Sequence, residues 1–91
     1  MSVYVDNLIQ WGKRPGWPYE YACHLMADTD EELHEFATRL GLKRQWAQKM
    51  DHPRQHYHHY DLTKNKRAQA VRLGAIEIEG VDALVRVGGG E

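Results

Sequence analysis

Residues 21–41, YACHLMADTDEELHEFATRLG, decide the fold. The first six read as a buried strand, with Tyr21, Cys23 and Leu25 on one face and Ala22, His24 and Met26 on the other. Thr29 with Glu32 three residues on makes a capping box, and Asp30 and Glu31 suit the positive end of a helix dipole. Leu33, Phe36, Ala37 and Leu40 then recur at i, i+3, i+4 and i+7, and Gly41 supplies the left-handed stop. A strand running directly into a helix over residues 30–40 is the unit on which the rest is hung.

On the N-terminal side, Val3-Tyr4-Val5 favours a strand that stops at the turn pair Asp6-Asn7. Residues 11–19, WGKRPGWPY, hold two prolines and two glycines and form a loop, with Trp11 and Trp17 serving as a lid on the core or as a stacking platform. On the C-terminal side, Leu42 to Trp46 and His56 to Leu62 read as strands around a polar loop broken at Pro53. In the latter strand His58, Tyr60 and Leu62 face one way and Tyr57, His59 and Asp61 the other. A second helix is expected from Thr63 to Leu73, capped by Thr63 or Asp61 and stopped by Gly74. Ile76 and Ile78 make a further strand, and Leu84 to Val87 one more. This order predicts a small α/β sandwich, a mixed sheet of about five strands with two crossover helices, in one domain over residues 1–87, followed by a flexible end at 88–91. A ferredoxin-like α+β arrangement is the alternative.

At 91 residues the chain has room for one modest core and a shallow site, which excludes a large two-domain cleft enzyme. Cys23 is the only cysteine, so neither an internal disulfide nor a multi-cysteine zinc site can form. Met1-Ser2-Val3 does not begin a signal peptide and no apolar run is long enough for a bilayer span, so a soluble cytosolic protein without a membrane partner is expected. The net charge of -1 is an average over unlike parts: residues 1–42 balance to -4, residues 43–72 to +6 and residues 73–91 to -3.

Three constellations carry candidate chemistry. Asp6, Asp28 and Asp61 each follow a predicted strand; were those strands parallel, their carboxyl ends would meet at one edge and call for Mg²⁺ or Mn²⁺. The plainer alternative is that Asp28 and Asp61 cap helices and Asp6 shapes a turn. His24, His59 and an aspartate form the second set, suited to Zn²⁺ or Mn²⁺ with a position open for water, provided that their strands are neighbours. A satisfied core histidine is the alternative for His24. The third is the start of the second helix, where Lys64, Lys66 and Arg67 oppose the helix dipole. A phosphate held by Thr63, Lys66 and Arg67 would reverse that conflict, and solvent screening would also relieve it. No P-loop, GxGxxG, GxSxG, HExxH or zinc-finger spacing is present. Ser2 is the only serine, and Cys23 and His24 point to opposite faces, so no nucleophile–histidine pair forms.

Val3-Tyr4-Val5-Asp6, His24-Leu25-Met26-Ala27-Asp28-Thr29 with Glu32-Leu33-His34, Leu40-Gly41, His59-Tyr60-Asp61-Leu62, Lys66-Arg67 and Gly74-Ala75, in this order and spacing, resemble the short bacterial and phage proteins grouped as domain of unknown function 4031. The resemblance implies a phage or mobile-element setting and carries no activity with it. The residues themselves lead to one principal expectation. It is a phosphate-directed site dependent on a divalent ion (Mg²⁺, Mn²⁺ or Zn²⁺) and acting on a nucleotide or nucleic acid, with Asp6, His24, Asp28, His59 and Asp61 as its catalytic groups and Asp6, His24, Asp28 and Asp61 as its metal ligands. The alternative is a non-catalytic module that binds protein or nucleic acid, such as a phage accessory protein or an inhibitor of host defence. Self-association as a homodimer would aid so small a core.

Overall fold

The structure, a computed structural model, describes residues 2–13 and 15–79. Its centre is strand β3 (Tyr21–Ala27), which follows β1 (Val3–Val5) and β2 (Ile9–Gln10) in the chain. β1 pairs antiparallel with the last three residues of β3, Val5 opposite Leu25, and β2 pairs antiparallel with the first two, Ile9 opposite Ala22. The register slips by one residue between the two, so the Asp6–Leu8 stretch is a bulge, a feature that bends a strand and re-aims its side chains. β4 (Tyr60–Leu62) runs antiparallel to β3 with Asp61 opposite His24, and β5 (Ile76–Glu77) is parallel to β1.

Helix α1 (Asp30–Arg39) begins where the sequence requires, with the Thr29 hydroxyl accepting the Glu32 N–H at 3.2 Å. Helix α2 (Lys64–Arg72) is capped in the same way by Thr63. Gly41 and Gly74, at φ of 79° and 108°, take the left-handed positions after the two helices. Cys23, Leu25 and Ala27 on one face of β3 join Val5, Tyr60 and Leu62, and this surface packs against Leu33, Phe36, Ala37 and Leu40 of α1 and Ala70 of α2. The molecule is therefore a small α/β sandwich whose mixed five-strand sheet carries its main core on one face. The element order, with β1 beside a parallel β5, is not the βαββαβ order of the ferredoxin-like alternative. α2 crosses between strands of like direction, whereas α1 leads from β3 to its antiparallel neighbour β4.

Two expected strands are shorter or absent. Residues 44–46 form a 3₁₀ turn instead of a strand, closed by the Trp46 N–H on the Lys43 carbonyl (2.9 Å) and the Ala47 N–H on the Arg44 carbonyl (3.1 Å). Residues 55–57 are likewise a 3₁₀ turn, closed by the His58 N–H on the Gln55 carbonyl, so β4 starts only at Tyr60. β2 was not foreseen: two residues beside a Gly/Pro loop give no periodicity. The expected strand at Leu84 to Val87 and the end at 88–91 lie outside the described residues. Among those described, no helix is long and apolar enough to cross a membrane.

Candidate metal centre

The sheet face turned away from the helices carries His24, Asp6 and Asp61, aligned by the registers of β1 and β4 on β3. Asp6 sits in the bulge and is 5% exposed. One of its oxygens accepts the His24 backbone N–H and the other meets His24 Nδ1, both at 2.6 Å. That carboxylate makes Nδ1 the donor and leaves Nε2 as the outward-facing nitrogen. The hydrogen bond to Asp6 raises the His24 pKa against the opposing effect of burial, with the charges of Asp6 and Asp61 adding to the rise.

His59 is fixed similarly. Its Nδ1 lies 2.8 Å from the Tyr57 carbonyl and donates to it, which leaves Nε2 as the nitrogen that faces Asp61. A bridge between Gln48 and His59 brings a loop residue alongside β4, and the Gln48 amide donates to Asp61 Oδ2. The other oxygen, Asp61 Oδ1, is buried without a hydrogen-bond partner, the only carboxylate oxygen so placed among the described residues. His59 Nε2 stands 3.5 Å from it and His24 Nε2 4.0 Å, too long for good hydrogen bonds. The two rings meet edge to face with centroids 4.7 Å apart.

These three donor atoms lie within 4.8 Å of one another. Donors on one tetrahedral ion with nitrogen and oxygen ligands stand about 3.4 Å apart, so the His59–Asp61 pair is at that spacing and the others are one small side-chain shift from it. Each candidate ligand also has its remote atom pinned, by Asp6, by the Tyr57 carbonyl and by Gln48, the kind of outer support that orients metal ligands. Two imidazoles and one carboxylate suit Zn²⁺ or Mn²⁺ and leave coordination positions for water or substrate.

Four of the five residues expected to carry catalysis, Asp6, His24, His59 and Asp61, are brought together. Within the group Asp6 spends both oxygens on His24 and stands as its support instead of as a fourth ligand. Asp28 is not among them. The parallel edge on which its inclusion depended does not exist: β3 runs opposite to β1 and β4, so its carboxyl end lies at the other end of the sheet, about 13 Å along the strand from His24. There Asp28 accepts from the Ser2 N–H (2.8 Å) and the Tyr4 hydroxyl (3.0 Å) and faces His56 at 3.4 Å. Burial opposes its ionisation, but these partners outweigh it and hold its carboxyl below the usual range.

The cations at the start of α2 are engaged within the protein. Lys66 Nζ donates to the Leu40 carbonyl at the end of α1 (2.6 Å), where the helix dipole is negative. Arg67 donates through Nε to the Asp6 carbonyl (2.8 Å) and through Nη1 to Glu77 (3.0 Å). Thr63 spends its hydroxyl as the cap of α2. Lys64, beside them, is exposed. Cys23 is a core thiol that burial, chiefly, pushes up to about 12, so it offers neither nucleophile nor ligand. Gln48 is the member that sequence reasoning missed; a polar residue in a polar loop gives no local signal.

No curated protein and no solved structure matches the chain. A family model described as protein of unknown function (DUF4031) matches residues 3–88, nearly the whole length, and the chain belongs to that family.

Proposed function

We propose that the protein holds a divalent ion on His24, His59 and Asp61 and uses it on a phosphate-bearing substrate, a nucleotide or nucleic acid. The observation that carries this reading is the buried, unpartnered Asp61 Oδ1 between two imidazole nitrogens whose other nitrogens are tied down. A buried carboxylate oxygen without a partner costs about 1–3 kcal/mol or more, which a cation would offset. Zn²⁺ and Mn²⁺ suit the two imidazoles better than Mg²⁺ does. A bound ion there would polarise a phosphoryl oxygen and acidify a water. Asp6 would hold the His24 ring, and Gln48 the Asp61 carboxylate, in place as ligands. Lys64 and the first turn of α2 would supply positive field for a phosphate, with Lys66 and Arg67 adding charge. A bacterial cytoplasm, including that of a phage-infected cell, is the setting we infer, and the lone buried thiol Cys23 fits it.

The test is hydrolysis of a generic phosphodiester, bis-p-nitrophenyl phosphate, by metal-depleted protein given Zn²⁺, Mn²⁺ or Mg²⁺ in turn. Turnover that requires the ion and is lost in Asp61→Asn and His59→Ala supports a catalytic site. Metal uptake without turnover of this or any oligonucleotide leaves a metal-binding protein without catalysis. Absence of both overturns the proposal.

A further inference from the structure

Asp61 and Gln48 also face a broad surface groove, and the groove has a character of its own. It is lined by the end of the 11–20 loop and the start of β3, by residues 41–48, and by the first turn of α2. Trp46, Tyr19 and Tyr21 present rings into this region with 49%, 50% and 41% of their surfaces exposed. They come from two separate chain segments, so these are unburied aromatic surfaces gathered around one space and not the fringe of a core. Tyr19 is held edge-on by Trp17 (5.3 Å between centroids), and Trp17 by Trp11 (5.8 Å), which stiffens the loop that carries it. Lys43 Nζ stands 5.7 Å from the Trp46 ring centre, and Lys64 is exposed where the groove reaches the first turn of α2.

We propose that this groove binds single-stranded nucleic acid, with bases stacked on Trp46, Tyr19 and Tyr21 and a backbone phosphate delivered past Lys64 to Asp61. Flat rings beside cations are the sequence-tolerant means by which proteins hold unpaired bases, since every base has a π-face. Asp61 at the groove's wall, its side chain nine-tenths buried and its Oδ1 without a hydrogen-bond partner, gives the phosphate end its destination, through an ion. A folded duplex hides its base faces and gains nothing from the rings. The inference rests on the proposed metal site for the fate of the phosphate, and on the groove's own residues for the bases.

The two parts separate in one experiment: fluorescence anisotropy of a labelled single-stranded oligonucleotide, DNA and RNA, against the full-length protein in EDTA and then in Mn²⁺. Binding in EDTA is expected. Trp46→Ala and Tyr21→Ala should each weaken it by about 5- to 150-fold, and Trp46→Phe should restore most of the loss. Both alanine variants should take up Mn²⁺ as the wild type does, which also shows that they fold. Should Asp61→Asn lose metal uptake yet keep binding in EDTA, the groove stands independently of the ion. Should the wild type take up no metal while EDTA binding and the aromatic dependence persist, the metal site fails and the groove remains. The proposal is overturned by no binding up to about 100 μM protein, the weak end of non-specific association. It is equally overturned by duplex or a mononucleotide binding as tightly as the strand, or by alanine variants that bind like the wild type.

Discussion

Two histidine–aspartate clusters flank β3, and they are built from neighbouring residues. In one, His58 Nδ1 meets Asp30 at 2.7 Å, His58 Nε2 meets the His52 carbonyl at 2.6 Å, and Gln55 donates to the same Asp30 oxygen at 2.8 Å; close by, Asp28 gathers Ser2, Tyr4 and His56. Both His58 ring nitrogens face acceptors; burial lowers its pKa, but these hydrogen bonds outweigh it and the net direction is upward. In the other, His24, His59 and Asp61 turn two ring nitrogens and a carboxylate oxygen toward one another without hydrogen bonds. The first set is a strap that closes the 47–59 loop onto the junction between β3 and α1. The second is an incomplete polar group in a protected place. The lesson is that histidine and aspartate content says little; whether their remaining atoms are satisfied separates a structural cluster from a site.

Substitution breaks the comparison most sharply at Asp61. Asp61→Ala should lower affinity for Zn²⁺ or Mn²⁺ by more than about 100-fold, beyond the range for outer supports, while leaving the metal-free melting temperature nearly unchanged or raised. Asp6→Asn should cost about 10- to 100-fold in metal affinity by freeing the His24 ring, measured by competition with a fluorescent chelator. In the strap, His58→Ala should cost about 1 kcal/mol of stability in urea, discounted for the exposure of Asp30, and leave metal affinity within a few-fold. Lys66→Met should have the smallest effect, about 0.3–1 kcal/mol from the end of α1, with metal uptake intact.

Acidity acts on the strap in both directions. Asp28 and Asp30 have lowered pKa values, burial opposing and hydrogen bonds prevailing in each, so their stabilisation is present above the ordinary carboxylate range and is lost as pH falls through the lower folded values. His58, raised, stabilises fully below about pH 6.5 and its contribution is lost as pH rises through its higher folded value. His24 shares that direction through Asp6. The metal-free protein should therefore be most stable between about pH 4 and 6.5. Metal binding must displace protons from the ligands, so added Zn²⁺ should stabilise progressively more as pH rises above that window. Melting curves from pH 4 to 8, with and without the ion, check both slopes.

Much of the fold was legible because it is local. The alternation of Tyr21 to Ala27, the Thr29 cap and the stripe from Leu33 to Leu40 each rest on neighbours within a turn or a strand. His59 and Asp61 sharing a face follows from the same period of two. Strand direction is not local, and the inclusion of Asp28 failed on it. Nor does any pattern around Lys66 or Arg67 reveal that their partners are Leu40, Asp6 and Glu77, so the basic start of α2 read as a call for an external anion when protein acceptors were at hand. Gln48 reaches Asp61 only through a bridge that forms once the 47–59 loop has folded back.

Whether His24, His59 and Asp61 form one ion site is decided by calorimetric titration of Zn²⁺ into metal-depleted protein at pH 7.5. One ion per chain is expected, with proton release on binding and loss of the signal in both Asp61→Asn and His24→Ala. An absence of binding heat in several buffers of different ionisation enthalpy, or a titration that those two substitutions leave unchanged, would contradict it.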